Sequence, residues 1–298
     1  MCIRDRTHSL NWEHLDFSNP DSARQIRRDK KIDEPVADAL LNEESRPRAA
    51  HFDEGVLVIL RGVNLNPDSE AEDMVSIRLW LEDDRVVSTG RRRLRSVEAI
   101  RTAIEAGNGP VTPGDFLVHL VQRLDDFMTD TIDDIEVSLE QAENQIQDSA
   151  TITRNSPFSV LRRRVARIRR YLAPQREALD RLSRHPGALL SEVNRTELRE
   201  EANRLTLILE NLDLVRERAM VAQEEFLAIL AHEQNERMLL LSIVAAIFLP
   251  LAFLTGLMGM NVAGLPGMEN PMAFWLLCLG MLLIAALILV LFRMKKWV

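Results

Sequence analysis

Cysteine is nearly absent: Cys2 and Cys278 are the only two in 298 residues. That excludes a disulfide framework and the paired CxxC spacing of a structural zinc site. No nucleophile elbow, P-loop, HExxH or Gly-rich dinucleotide turn occurs, so the sequence points away from an enzyme and from any bound cofactor. The six histidines (His8, His14, His51, His119, His185, His232) form no ligand-spaced pair. The first residues lack the apolar core of a signal peptide, which leaves the large N-terminal part expected on the cytoplasmic side.

Two further absences organise the chain. Charge is missing from Met238–Met258 and again from Met272–Phe292, 21 residues each. A helix of that length rises about 31 Å, the thickness of a bilayer's hydrocarbon core, so the pair reads as a transmembrane hairpin. Proline and glycine are missing between Gly187 and Pro250, more than 60 residues. That stretch can form one helix of about 90 Å leading straight into the first span. It carries a heptad stripe, Leu205, Leu212, Ala219 and Phe226 with Ile208, Val215, Ala222 and Ile229, the mark of helices packed side by side.

The remainder is charged, with a net charge of −8 for the whole chain. Val56–Val63, Val75–Leu81 and Arg85–Thr89 have strand character, the last two pairing as a hairpin across Asp83-Asp84. A helix is expected over Ser96–Ala106, before the breaker GNGPVTPG. Asp115–Gln147 is helical by its three- and four-residue apolar spacing and strongly acidic. Arg154–Arg184 holds ten arginines against Glu177 and Asp180. An acidic helix followed by a basic one suggests a pair with attracting faces, and the acidic neighbour argues against nucleic acid as a partner. The chain thus divides into an α+β domain (1–110), an acidic and basic helical hairpin (111–186), a stalk helix (187–237) and a transmembrane hairpin (238–298).

The 13-residue connection 259–271 has no Lys or Arg, whereas Arg237, Arg293, Lys295 and Lys296 flank the other ends of the spans. The positive-inside rule then puts both termini in the cytoplasm of an inner-membrane, multi-pass protein. Trp275 and Trp297 bracket the second span as interfacial anchors. Two helices cannot enclose a water-filled path, so transport demands an oligomer. On the first span a stripe of Asn235, Met238, Ser242, Ala245, Leu249, Ala252, Gly256 and Gly259 is small or weakly polar at most positions. Such a stripe suits either a helix–helix interface or a pore lining. Counting sevens backward from it reaches Glu224, Glu217 and Glu210, which in an oligomer would stack as cation-attracting rings.

Gly259-Met260-Asn261 closes the first span. A Gly-Met-Asn triplet there, after a very long helix and before a short loop and a second span with the basic tail RMKKWV, resembles the CorA superfamily of divalent-cation transporters. The resemblance covers essentially the whole chain. The following Val262-Ala263-Gly264-Leu265-Pro266-Gly267 is similar to the Gly-Gly-x-Pro-Gly loop of the ZntB zinc-transporter branch, with Ala263 where that branch has glycine. The resemblance implies a funnel-shaped homopentamer in the lipid bilayer, its first span lining the pore. It puts Asn261 at the outer mouth, Asn235 at an inner polar position and Met238 with Leu241 at a hydrophobic gate. Ala252 stands where magnesium-type members place a threonine, and Glu224 falls near a stalk acid used at a regulatory metal site. The expected cargo is zinc, with a magnesium or cobalt channel of the same fold as alternative. A membrane-anchored sensor or scaffold is the alternative of another class. Arg293, Lys295 and Lys296 would form a basic collar at the inner mouth.

Overall fold

The computed structural model describes residues 2–3, 10–147, 156–260 and 272–295. It divides into two compact units, Met1–Gln223 and Glu224–Val298. The first contains a six-stranded sheet formed by Cys2–Ile3 (β1), Asn11–Asp16 (β2), Arg48–Phe52 (β3), Gly55–Gly62 (β4), Val75–Leu81 (β5) and Arg85–Gly90 (β6), in the order β1-β2-β6-β5-β4-β3. All neighbours are antiparallel except β2 and β6, which run parallel from Asn11↔Arg85 to Asp16↔Gly90.

β4 reads as an almost unbroken apolar run because helices cover both of its faces. On one face α1 (Pro20–Arg28) and α2 (Glu34–Leu41) bury Ile26, Val36, Ala37 and Leu40 against Leu57, Ile59, Trp80 and Val87. On the other, α3 (Arg95–Glu105) and α4 (Pro113–Gln147) close over the sheet, with the Trp12 and Phe116 rings 5.0 Å apart. α4 passes so near β4 that a Cβ on Gly62 would lie 2.5 Å from Leu124 Cδ2.

The strands and helices expected over 56–63, 75–81, 85–89, 96–106 and 115–147 are present with small shifts at their ends. β2, β3, α1 and α2 are additions. β3, RAAHF, has little strand propensity; it exists because the Asp53-Glu54 turn folds it onto β4 in the register Ala49↔Val58.

Two capping boxes start the long helices. Thr112 and Asp115 exchange backbone-to-side-chain bonds of 3.1 Å at the head of α4. Ser191 and Asn194 do the same at the head of α6 (Glu192–Met258). Asn194 Nδ2 then donates to Asp115 Oδ1 at 2.9 Å, tying the two first turns together. Gly114 leaves the room for it, since a Cβ there would collide with Asn194 Oδ1.

α5 (Phe158–Arg184) buries Phe158, Leu161, Val165, Ile168, Leu172 and Leu179. Among the described residues no ion pair joins basic α5 to acidic α4. The faces that α4 and α5 bury are mainly apolar, with Asp125 an exception, and their paired charges sit at the margins, where other segments run. Arg164 and Arg167 of α5 pair with Glu72 and Asp73, and Arg169 with Asp213 of α6. From α4, Asp126 pairs with Arg204 and Glu143 with Arg218, both on α6. The heptad stripe of α6 is the packed face: Leu205, Ile208, Leu212, Val215, Ala219, Ala222 and Phe226 are all buried, and Ile229 is half-buried.

Candidate functional site

The second unit's described helical residues belong to the end of α6 and to α7 (Ala273–Met294). Both are long and apolar enough to cross a membrane. α6 runs through Pro250, which supplies no N–H to the preceding turn. Leu239, Ile243, Ala246, Pro250, Leu254 and Leu257 of α6 are half-buried, as are Ala273, Leu277, Gly280, Ile284, Ile288 and Phe292 of α7. Each set recurs at three- and four-residue steps, so each helix has one half-buried face and one open face.

The stripe read from the sequence is the open face of α6. Asn235, Met238, Ser242, Ala245, Leu249, Ala252, Gly256 and Gly259 are all exposed, as are Leu241 and Met260. A Cβ added at Gly256 would meet nothing within 4 Å. Glycine in a helix interior costs about 1 kcal/mol relative to alanine, and nothing among the described residues requires its small size there. Ser242 Oγ donates to Met238 O at 2.8 Å, so its hydroxyl proton is satisfied inside the helix while the oxygen keeps its lone pairs. Asn261 and Lys296 lie outside the described residues. Arg293 is in the last turn of α7 and exposed, and the Lys295 amide donates to Leu291 O at 3.1 Å.

Glu210, Glu217 and Glu224 are exposed on one face of α6. Beside the first two stand Leu207, Leu214 and Val221, themselves 63%, 55% and 61% exposed, an apolar row at seven-residue spacing facing solvent. Among the described residues no three His, Cys, Asp or Glu side chains are grouped to hold a metal ion.

Two titratable groups stand out in the first unit. Asp125 of α4 is fully buried and neither of its carboxylate oxygens accepts a hydrogen bond. Burial, and then the neighbouring Glu201 charge, push its pKa well above the ordinary carboxylate range, despite Arg204. Glu201 is raised as well, by its own burial first. A proton on Asp125 lets it donate to Glu201. The sequence holds a trace of this: Asp125 occupies an apolar position of the α4 stripe, four after Val121 and three before Met128. His14 is held the other way, lowered to about 4 by burial and then by Arg101; its Nδ1 lies 2.8 Å from Ser88 Oγ, which also accepts from Trp12 Nε1.

Residues 7–296 match the family model for CorA-like Mg2+ transporter proteins. The chain belongs to the CorA family. This CorA-family chain is 38% identical over 288 residues to the divalent cation transporter CmaX of Pseudomonas aeruginosa, covering 96% of itself and 87% of that protein. It is 32% identical over 286 residues to the zinc transport protein ZntB of Pectobacterium atrosepticum, with the same coverage. The structure of full-length CmaX superposes with a TM-score of 0.82 over 97% of this chain and 89% of that one. The CorA magnesium transporter of Methanocaldococcus jannaschii gives 0.84 over 99% and 94%, at 18% identity, a likeness of fold alone. The α+β domain, long helix and two apolar C-terminal helices are therefore the family architecture, and the family is one of transporters.

Proposed function

We propose that this chain transports divalent cations, zinc foremost, through a homo-oligomer in which the open face of α6 lines the path. The observation that carries the reading is the exposed stripe of small and weakly polar residues. Its small size has no reason within one chain, and a second copy supplies one. Five copies, the number implied by the family resemblance, enclose a path that two helices cannot. In this reading both termini are cytoplasmic, and the boundaries at 110, 186 and 237 separate α+β domain, helical hairpin, stalk and membrane hairpin. Asn261 offers a ring of amide oxygens at the outer mouth, which holds a hydrated cation without trapping it. Asn235 and Ser242 continue the polar lining, and Met238 and Leu241 narrow it. Glu210, Glu217 and Glu224 draw cations toward it, and Arg293, Lys295 and Lys296 collar the inner end.

Relatives named for zinc transport support zinc, as does the Gly264-Leu265-Pro266-Gly267 segment. The family model's own description keeps magnesium as the second reading. The test is uptake into vesicles reconstituted with purified protein, with Zn²⁺, Mg²⁺ and Co²⁺ in competition. Saturable uptake with zinc preferred is expected. Assembled protein that passes none of the three would leave an anchored scaffold, and a preference for Mg²⁺ would remove zinc. Gly256→Leu should weaken assembly, measured by cross-linking, without unfolding the first unit.

A further inference from the structure

A polar cavity of about 220 Å³ opens on the first unit where β4 and β6 end and β5 begins, and none of its lining residues belongs to the proposed ion path. Its lining includes Phe17, Glu43, Arg61, Ser76, Arg91 and Arg92. Arg61 and Ser76 are register partners on β4 and β5, and Arg78 follows Ser76 on the same face of β5.

Arg78 is fully buried, an uncommon place for a cation. Its Cζ lies 4.6 Å from the centre of the Phe17 ring, and its Nη2 donates to the carbonyls of Asn42 and Glu43. Phe17 and Glu43 both line the cavity, so Arg78 sits directly behind its wall. Its Nε and Nη1 have no hydrogen-bond partner. Arg61 is held by carbonyl dipoles: its side chain donates to Ser45 O and to Met74 O at 2.9 Å, and its guanidinium stacks 4.0 Å over the Tyr171 ring. Among the described residues neither Arg61, Arg78 nor Arg92 pairs with a carboxylate. Arg91 pairs with Glu43, the one acid in the wall, and Arg93 is already neutralised by Glu98. Burial and the Arg61 charge lower Arg78 to about 10.

Three arginines, Arg61, Arg91 and Arg92, therefore line a partly enclosed space with one carboxylate, and a fourth, Arg78, is buried behind its wall. Buried charge that lacks its counter-charge is costly, and an anion is what would relieve it. We propose that this cavity binds a small oxyanion, a free phosphate or the terminal phosphate of a nucleotide. Guanidinium forks match tetrahedral oxyanions through paired N–H donors. Sites for whole organic ligands run to roughly 300–1,000 Å³, so a single phosphate-sized group suits this one. Occupancy would bind together the Asn42–Ser45 segment, β4, β5 and the turn after β6.

The experiment is calorimetric titration of the full chain in neutral, phosphate-free detergent with inorganic phosphate or ATP, against chloride at matched ionic strength. One saturable site per chain is expected. Glu43→Gln removes the only negative charge in the wall from an exposed position, so it should tighten binding by up to about tenfold. The double variant Arg91→Gln/Arg92→Gln, also at the surface, should weaken it by at least about tenfold. Equal affinity for both probes assigns the cavity to free phosphate; ATP alone assigns it to the end of a nucleotide chain. Absence of saturable binding in wild type and in Glu43→Gln overturns the proposal. So does affinity unchanged by the arginine pair.

Discussion

Asp125→Asn should stabilise the protein at neutral and alkaline pH. The folded chain keeps a proton on Asp125 to a higher pH than the unfolded chain does, because burial and Glu201 disfavour its charged form. Folding therefore takes up a proton between the ordinary carboxylate pKa and the raised folded one. The contribution is fully present below about pH 4 and is lost as pH climbs through that window. One proton changes stability by at most about 1.4 kcal/mol per pH unit, or roughly 3–6 °C in Tm for a domain of this size. Asparagine cannot ionise, and its amide N–H can still reach Glu201, so the variant lacks the slope while keeping the contact. The assay is thermal unfolding of full-length protein in detergent at pH 5, 6, 7 and 8, wild type beside Asp125→Asn. The variant's margin over wild type should be smallest at pH 5 and widen with each step in pH. Parallel curves across the whole range would mean that Asp125 is ionised in the folded state at all these pH values, and the buried-acid argument would fail.

His14 predicts a slope of opposite sign. With its pKa lowered to about 4, the folded chain refuses a proton that the unfolded chain accepts below about 6.5, so His14→Gln should recover up to about 3 kcal/mol at pH 4 and nothing at pH 8, by the same unfolding assay. Asn261→Ala should abolish divalent-cation uptake while cross-linking shows assembly intact, and Asn261→Asp should slow release by holding the ion too tightly; normal uptake by the alanine variant would remove Asn261 from the path. Replacing Glu210, Glu217 and Glu224 together by Gln should lower uptake at low ionic strength, with the gap closing as salt screens the field. A rate unchanged at every salt concentration would leave them as a solvated helix face.

The legible parts of the fold were those with a single strong period or a long absence. The uncharged runs and the run without proline or glycine marked α6 and α7, because a missing breaker or charge constrains every residue in the stretch. The heptad of α6 was legible for the same reason, and its buried side is the one counted. β2 and β3 were not, since NWEHLD and RAAHF carry no alternation of their own and exist through pairing with β6 and β4. Charge partners were illegible in another way. The acidity of α4 and basicity of α5 are real, but which arginine meets which acid depends on a third helix and on the Glu72-Asp73 segment. Arg78 was hidden because its strand alternates as any half-exposed strand does, and only the Asn42-Glu43 segment and the Phe17 ring, distant in sequence, cover it.

Two rows along the open side of α6 trade chemistry where the charge ends. One reads Leu207, Leu214, Val221, Ala228, Asn235, Ser242; the other reads Glu210, Glu217, Glu224, Ala231, Met238, Ala245, Ala252. Where the second row is acidic the first is apolar, and where the second turns apolar the first carries Asn235 and Ser242 before reaching Leu249. A surface that only met water would have no reason to expose Leu207, Leu214 and Val221, each more than half exposed. A surface that only packed would have no reason for the glutamates. We infer that one row packs on a neighbouring copy while the other lines the path, and that the roles exchange around Asn235 and Met238, which both border the path. A helix drifts about 20° per heptad from an exact seven-residue repeat, so a modest change in supercoil suffices to swap two adjacent rows. Single cysteines, in a background with Cys2 and Cys278 replaced by serine, distinguish the rows. Leu214 and Ala245 should cross-link between copies, whereas Glu217 and Ser242 should react with a water-soluble thiol reagent and block uptake when they do. Cross-linking confined to one row along the whole helix would show that no exchange takes place.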